Sequence, residues 1–339
     1  YAANLVLIGG LLILTVVATG LTNPQRPSDA VLVAASPALL IPAAINWDML
    51  PVALVALWLL LWSRKVVFWS GVVLGLAIAA KFYPVILLGP VLLLCLRAGQ
   101  LRAFGRMFTG AMLSWLVANV PVMVANFSGW ATFYTFSSDR GQDFGSPWLA
   151  LSLAGLTIPP DVINLVGTGT FALLCVGIAI LIWWAPVRPR LAPMLFLVLA
   201  AFLLTNKVYS PQYMMWLVPL AVLSLPRVRY LAAWQAGELV YFAAIWLYLA
   251  GLEEPGRGLP QGWYALAIWI HIGLTAWFAS VLIRNTLRPE HDPVRTADAQ
   301  LSADGIGDDP GGGVLDRTAD ATRWTRRQIT ARHASSAAQ

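Results

Sequence analysis

The chain has 339 residues, 59% hydrophobic and only 11% charged, with a formal net charge of +6. Soluble domains carry about 25% charged residues. A soluble fold is therefore excluded, and apolar runs recurring from residue 4 to residue 283 predict an all-α, polytopic transmembrane protein. The basic residues are scattered through short turns, which provides no nucleic-acid-binding face and leaves membrane lipids as the surroundings.

About eleven membrane segments are predicted, at 4–21, 31–45, 49–63, 66–81, 84–97, 107–125, 163–184, 191–206, 212–226, 230–250 and 263–283. Several fall short of the ~20 residues that cross a bilayer. The segments at 31–45 and 84–97 also hold Pro37, Pro42, Pro84 and Pro90, which marks them as broken helices lining a buried or watery cavity. The connection 126–162 mixes Trp130, Phe133, Tyr134, Phe136, Phe144 and Trp148 with Asp139, Arg140 and Asp143. That composition suits a helix lying in the membrane interface, either as an aromatic belt or as a dock for a lipid substrate. Cys95 and Cys175 lie in apolar runs, as packed free thiols do. Residues 1–288 form the transmembrane domain, and the polar, Gly-rich stretch 289–339 is predicted to be a disordered cytoplasmic tail. The first residue is Tyr1, and no charged leader precedes the first segment, so the domain is expected to be N-terminally incomplete.

Charge parity orients the chain. Arg26, Arg64, Lys65, Arg97, Arg102, Arg106, Arg188, Arg190, Arg227, Arg229, Arg284 and Arg288 fall in alternate turns; the other turns hold only Lys81, Arg140, Lys207 and Arg257. By the positive-inside rule the richer side is cytoplasmic, and the polar clusters face outward from a multi-pass protein of the cell membrane.

Three clusters interrupt the apolar pattern: Asn46-Trp47-Asp48, Lys81-Phe82-Tyr83-Pro84 and Asn206 to Tyr213 (Asn-Lys-Val-Tyr-Ser-Pro-Gln-Tyr). Two of the chain's three lysines lie here, each ending a span before an aromatic residue and a proline. An ammonium at such a break either snorkels to headgroups or binds phosphate as a point charge. Asp48 can serve as a base, orient a basic partner such as Lys81, or cap the helix beginning near Met49. Glu238 and His271 lie within the last two spans, either as a structural pair or as part of a proton relay. No metal-ligand motif, glycine-rich phosphate loop or nucleophile elbow is present, so neither metal nor cofactor is called for.

Ser36-Pro37-Ala38-Leu39 leading to Asn46-Trp47-Asp48, Lys81-Phe82-Tyr83-Pro84 before a Gly-Pro span, and the Asn206–Tyr213 motif resemble glycosyltransferase family 87, a branch of the GT-C superfamily. The resemblance covers about residues 30–230. It implies a membrane enzyme that moves a hexose, usually mannose, from a polyprenyl-phosphate donor to a glycolipid or glycan acceptor on the external face. It also implies an inverting single displacement with a carboxylate base in a first external loop, expected upstream of Tyr1. Asp48 is then the catalytic candidate within this chain, in a supporting role. Lys81 and Lys207 are expected to hold the donor phosphate, with Asn46, Tyr83, Asn206, Tyr209, Gln212 and Tyr213 completing the substrate site. The rival readings are a lipid or small-molecule transporter or flippase, against which the one-sided polar groups argue, and a non-catalytic assembly subunit.

Overall fold

Prolines punctuate the helices. Pro27, Pro37, Pro42, Pro84, Pro147, Pro160, Pro211, Pro289 and Pro293 all stand in the first turn of a helical element, where a missing N–H costs nothing and φ is already helical. The computed structural model describes residues 2–254, 256–299 and 307–321, and regular structure among the described residues is entirely helical. The helices are α1 (Ala2–Thr22), α2 (Ala30–Ala34), α3 (Pro37–Leu40), α4 (Met49–Ser63), α5 (Val67–Ala80), α6 (Leu88–Arg97), α7 (Leu101–Ala125) and α8 (Phe127–Asp139). They continue with α9 (Pro147–Leu153), α10 (Pro160–Trp184), α11 (Leu191–Thr205), α12 (Met214–Ser224), α13 (Val228–Glu253), α14 (Gln261–Leu287) and α15 (Pro293–Ala299).

The chain is an all-α polytopic membrane protein. Each of the eleven apolar segments is helical, but they differ in reach. By length and composition α1, α7, α10, α13 and α14 can each cross a bilayer, and the pair Pro27–Ala34 and Pro37–Ala44, bent by 59°, adds a sixth if it is one broken span. The long helices leave apolar side chains such as Val117, Val124 and Leu165 exposed, as surfaces facing lipid do. The shorter α4, α11 and α12 are buried nearly all round and form the centre, where Trp58, Trp62, Phe196 and Leu199 are fully enclosed. At 1.5 Å per residue α11 reaches only about 22 Å, so its neighbours, not lipid, surround its ends.

Close backbone approach joins α5 to α7. A Cβ on Gly71 would lie 1.9 Å from the Met107 carbonyl oxygen, and one on Gly75 2.1 Å from that of Ala111. Gly110 faces the Phe68 oxygen in the same way, and Ser114 Oγ donates to Val72 O at 2.8 Å. Small residues spaced along one helical face allow this packing.

The expectation of a disordered tail from residue 289 does not hold for 289–299 and 307–321. These residues fold onto the end of the bundle where α4 and α6 finish and α11 begins. Arg97 bonds Asp320 at 2.9 Å, Arg188 meets Asp308 and Asp320 at 3.2 Å, and Arg190 meets Asp292 at 2.8 Å. Asp309 accepts from the Leu191 N–H at 2.7 Å, and Trp62 Nε1–H donates to the Gly312 carbonyl at 2.8 Å. The three arginines are buried, and buried charge requires paired charge. Matching aspartates therefore supply the order that apolar burial would otherwise give, and low hydrophobicity alone misreads the segment. Residues 300–306 and 322–339, with His333, lie outside the described residues, as does Tyr1.

Candidate functional site

At the opposite end, loops from distant parts of the chain converge. Lys81 has extended backbone (φ −158°, ψ 135°), which stops α5 and turns the chain into a single 3₁₀ turn at Tyr83–Leu87. Its ammonium lies 2.5 Å from Asp48 Oδ1, and Asp48 Oδ2 accepts from Trp216 Nε1–H at 3.1 Å. Trp216 is sandwiched between Tyr83 and Tyr213, each with its ring centroid 4.0 Å away. The Lys81 ammonium also sits 4.9 Å from the Tyr213 ring and 5.0 Å from the Trp216 ring. Its charge is thus answered by a carboxylate and two π faces.

Asp48 is buried, and its side chain makes no cap on α4. Asn46 Oδ1 instead accepts the Asp48 backbone N–H at 2.9 Å, which closes the turn before α4. With both carboxylate oxygens engaged, Asp48 is built to hold Lys81 and Trp216. Nearby, Ser36 Oγ and the Ala38 N–H both donate to Gln235 Oε1, at 2.7 and 3.2 Å, which ties the Ser36-Pro37 break to α13.

Lys207 stands in different surroundings. Its ammonium donates to Ser138 O at 2.9 Å and to Asn164 Oδ1 at 2.8 Å, both neutral. Asn206 Oδ1 accepts the Lys207 backbone N–H at 2.9 Å. The two residues line a cavity of about 370 Å³ that has Ser137, Asn164 and Thr168 on its polar side and Phe171 and Phe202 on its apolar side. Partial burial lowers the Lys207 pKa; Arg140 reinforces the shift and Asp139 opposes it. Arg140 is itself paired with Asp143.

The remaining motif residues divide. Tyr209 turns inward, fully buried, and its hydroxyl donates to Glu238 Oε1 at 3.0 Å. Gln212 is half-buried in the 3₁₀ turn Pro211–Tyr213. The segment carrying Lys207 is latched to residues 140–146: the Asp143 N–H donates to Lys207 O at 2.8 Å and the Tyr209 N–H to Phe144 O at 2.9 Å. In the same region α8 has no buried residue, and its Phe133 and Tyr134 pack edgewise on Phe82.

The structure therefore brings Asn46, Asp48, Lys81, Tyr83 and Tyr213 into one group, places Asn206 and Lys207 at a separate cavity, and sends Tyr209 into the core. Trp216, Asn164 and Ser138 were not singled out from sequence. Trp216 had a signal, because it follows Tyr213 by three residues and so shares its helical face. Asn164 and Ser138 had none, since they meet across the chain, where the Asn164 side chain donates to Ser138 O and both accept from Lys207.

The sequence profile of glycosyltransferase family 87 matches residues 1–206. Among curated proteins, GPI mannosyltransferase 1 of Eremothecium gossypii is 30% identical over 178 residues, 48% of this chain and 44% of that protein. The chain thus spans less than half the length of this relative. No solved structure matches. The family match covers more than half of the chain, including Asn46, Asp48, Lys81, Tyr83 and Asn206, and it agrees with the helical membrane architecture: the chain belongs to glycosyltransferase family 87, a family of GT-C membrane glycosyltransferases.

Proposed function

We propose that this protein transfers a hexose, mannose in the first instance, from a polyprenyl-phosphate donor to a glycolipid or glycan acceptor, and that Lys207 holds the donor phosphate. The observation that carries this reading is the contrast between the two lysines. Lys81 is neutralised by Asp48 at 2.5 Å, whereas Lys207 has only neutral hydrogen-bond partners among the described residues and borders a cavity. An anion gains most from the cation that is not already paired. The phosphate gains charge as it leaves, so a fixed ammonium there lowers the barrier. The aromatic side of the cavity, Phe171 and Phe202, suits the first isoprenoid carbons, and Asn164, Asn206 and Thr168 suit phosphate or sugar oxygens.

In this reading Asp48 transfers no proton; it fixes Lys81 and Trp216, and the Tyr83-Trp216-Tyr213 stack offers a face for a sugar ring. The mannosyl choice is supported by the name of the Eremothecium gossypii relative, and the outward-facing site by the charge bias between alternate turns. Membranes carrying the full-length protein, incubated with radiolabelled polyprenyl-phosphate mannose and a lipid extract, test the proposal. Lys207→Met is expected to abolish transfer while the protein still inserts. Full transfer by that variant refutes the assignment.

A further inference from the structure

Away from both lysines, Glu238 on α13 and His271 on α14 are completely buried. Glu238 Oε1 accepts from Tyr209 Oη at 3.0 Å and from Thr275 Oγ1 at 2.8 Å, and Trp234 Nε1–H donates to Thr275 Oγ1 at 3.1 Å. The other oxygen, Oε2, lies 3.4 Å from His271 Nδ1. That contact is not aligned as a hydrogen bond, and neither atom has a hydrogen-bond partner among the described residues.

The tautomer follows from the far side of the ring. His271 Nε2 is 3.1 Å from Gly145 O, a carbonyl that can only accept, so Nε2 carries a hydrogen. Nδ1 and Oε2 face each other without a hydrogen bond, so the two residues are held by their outer contacts, to Tyr209, Thr275 and Gly145.

This pair holds two segments at once. Through Tyr209 it grips the segment 206–213; through Gly145 it grips 140–146; those segments are joined by the backbone bonds at Lys207 and Tyr209. The imidazole also packs against the rings of Tyr209 and Tyr241, at 4.6 and 4.2 Å between centroids, and Tyr241 Oη donates to Tyr209 O at 3.0 Å. Gly145 has φ +72°, and a Cβ there would lie 2.2 Å from Tyr209 O.

We propose that Glu238 and His271 are positioning residues for the Lys207 site: acting through Tyr209 and Gly145, they fix the segment that carries Lys207 and the segment latched to it, and so set how tightly a lipid-linked phosphate is held. This role rests on Lys207 being the donor-phosphate site.

Steady-state transfer by the full-length protein, with the polyprenyl-phosphate sugar varied, tests it. Tyr209→Phe and Glu238→Leu are expected to raise the donor KM roughly tenfold with kcat changed by less than about threefold. Glu238→Gln is expected to stay within about twofold of the wild-type KM, because its amide keeps the Oε1 acceptor that Tyr209 and Thr275 use. Unchanged donor KM in Tyr209→Phe overturns the role, as does a Glu238→Gln variant no better than Glu238→Leu. Where Glu238→Leu fails to fold, Tyr209→Phe, which removes a single oxygen, decides. Lys207→Met in the same assay separates the two claims. Retained transfer there refutes the donor site itself, whereas lost transfer there with a normal Tyr209→Phe refutes only the positioning role.

Discussion

Removing either member of the Asp48–Lys81 pair should not have equal consequences. Asp48 has only 5% of its side chain exposed, and Lys81 has 27%. In Asp48→Asn the ammonium loses its carboxylate, but it can draw water and keeps the faces of Tyr213 and Trp216, so the loss should be about 1–2 kcal/mol. In Lys81→Met the carboxylate stays behind in a dry site with a single Trp216 N–H, and leaving a buried charge uncompensated costs about 3–5 kcal/mol. The double variant removes both charges, so it should be more stable than Lys81→Met alone, with a coupling of about 1–3 kcal/mol. Thermal unfolding of the purified protein in detergent, run as a four-member cycle, measures this. Additive single losses, or Asp48→Asn costing more than Lys81→Met, would refute the reasoning.

Other consequences can be measured on the same preparation. Gly75→Leu should destabilise the protein by at least about 2 kcal/mol, because its side chain meets the α7 backbone at Ala111, whereas Gly89→Ala, with open space around its Cβ, should leave the unfolding midpoint nearly unchanged. Asp316, in the segment 307–321, has its pKa pushed up to about 6 by burial, with further pressure from Asp308, Asp309 and Asp298 and opposition from Arg317. A carboxyl raised in the folded state favours docking while protonated. This contribution is full below the ordinary value of 3.8 and is lost as pH rises through about 6. The protection of residues 307–321 against hydrogen exchange, taken relative to the intrinsic rate at each pH, should therefore fall between pH 5 and 7, and Asp316→Asn should flatten that slope. An unaltered slope in the variant would count against it.

The helices are readable from the sequence because two strong signals coincide, long apolar runs and prolines at their first turns. Which helices face lipid is less readable: α11 and α10 are similarly apolar, yet α11 is enclosed and α10 lies outside. The three polar clusters mark a candidate site through the cost of polar groups at span ends. Their partition does not show, since the Asp48–Trp216 and Lys207–Asn164 bonds connect residues 168 and 43 positions apart. A one-dimensional reading sees two similar Lys-aromatic-Pro breaks, whereas packing gives one lysine a carboxylate and the other a cavity. The segment 307–321 misleads for a related reason. Its composition suggests disorder, but its aspartates are spaced to meet Arg97 and Arg188 from two distant turns and the Leu191 N–H.

The assignment of Lys207 is tested most directly by binding without turnover. A sugar-free polyprenyl monophosphate, titrated into the purified full-length protein, should raise the unfolding temperature of the wild type. It should raise that of the doubly substituted Asp48→Asn, Lys81→Met protein by a similar amount, and leave Lys207→Met unshifted. A shift of normal size in Lys207→Met, or one lost only when Lys81 is replaced, would place the phosphate elsewhere.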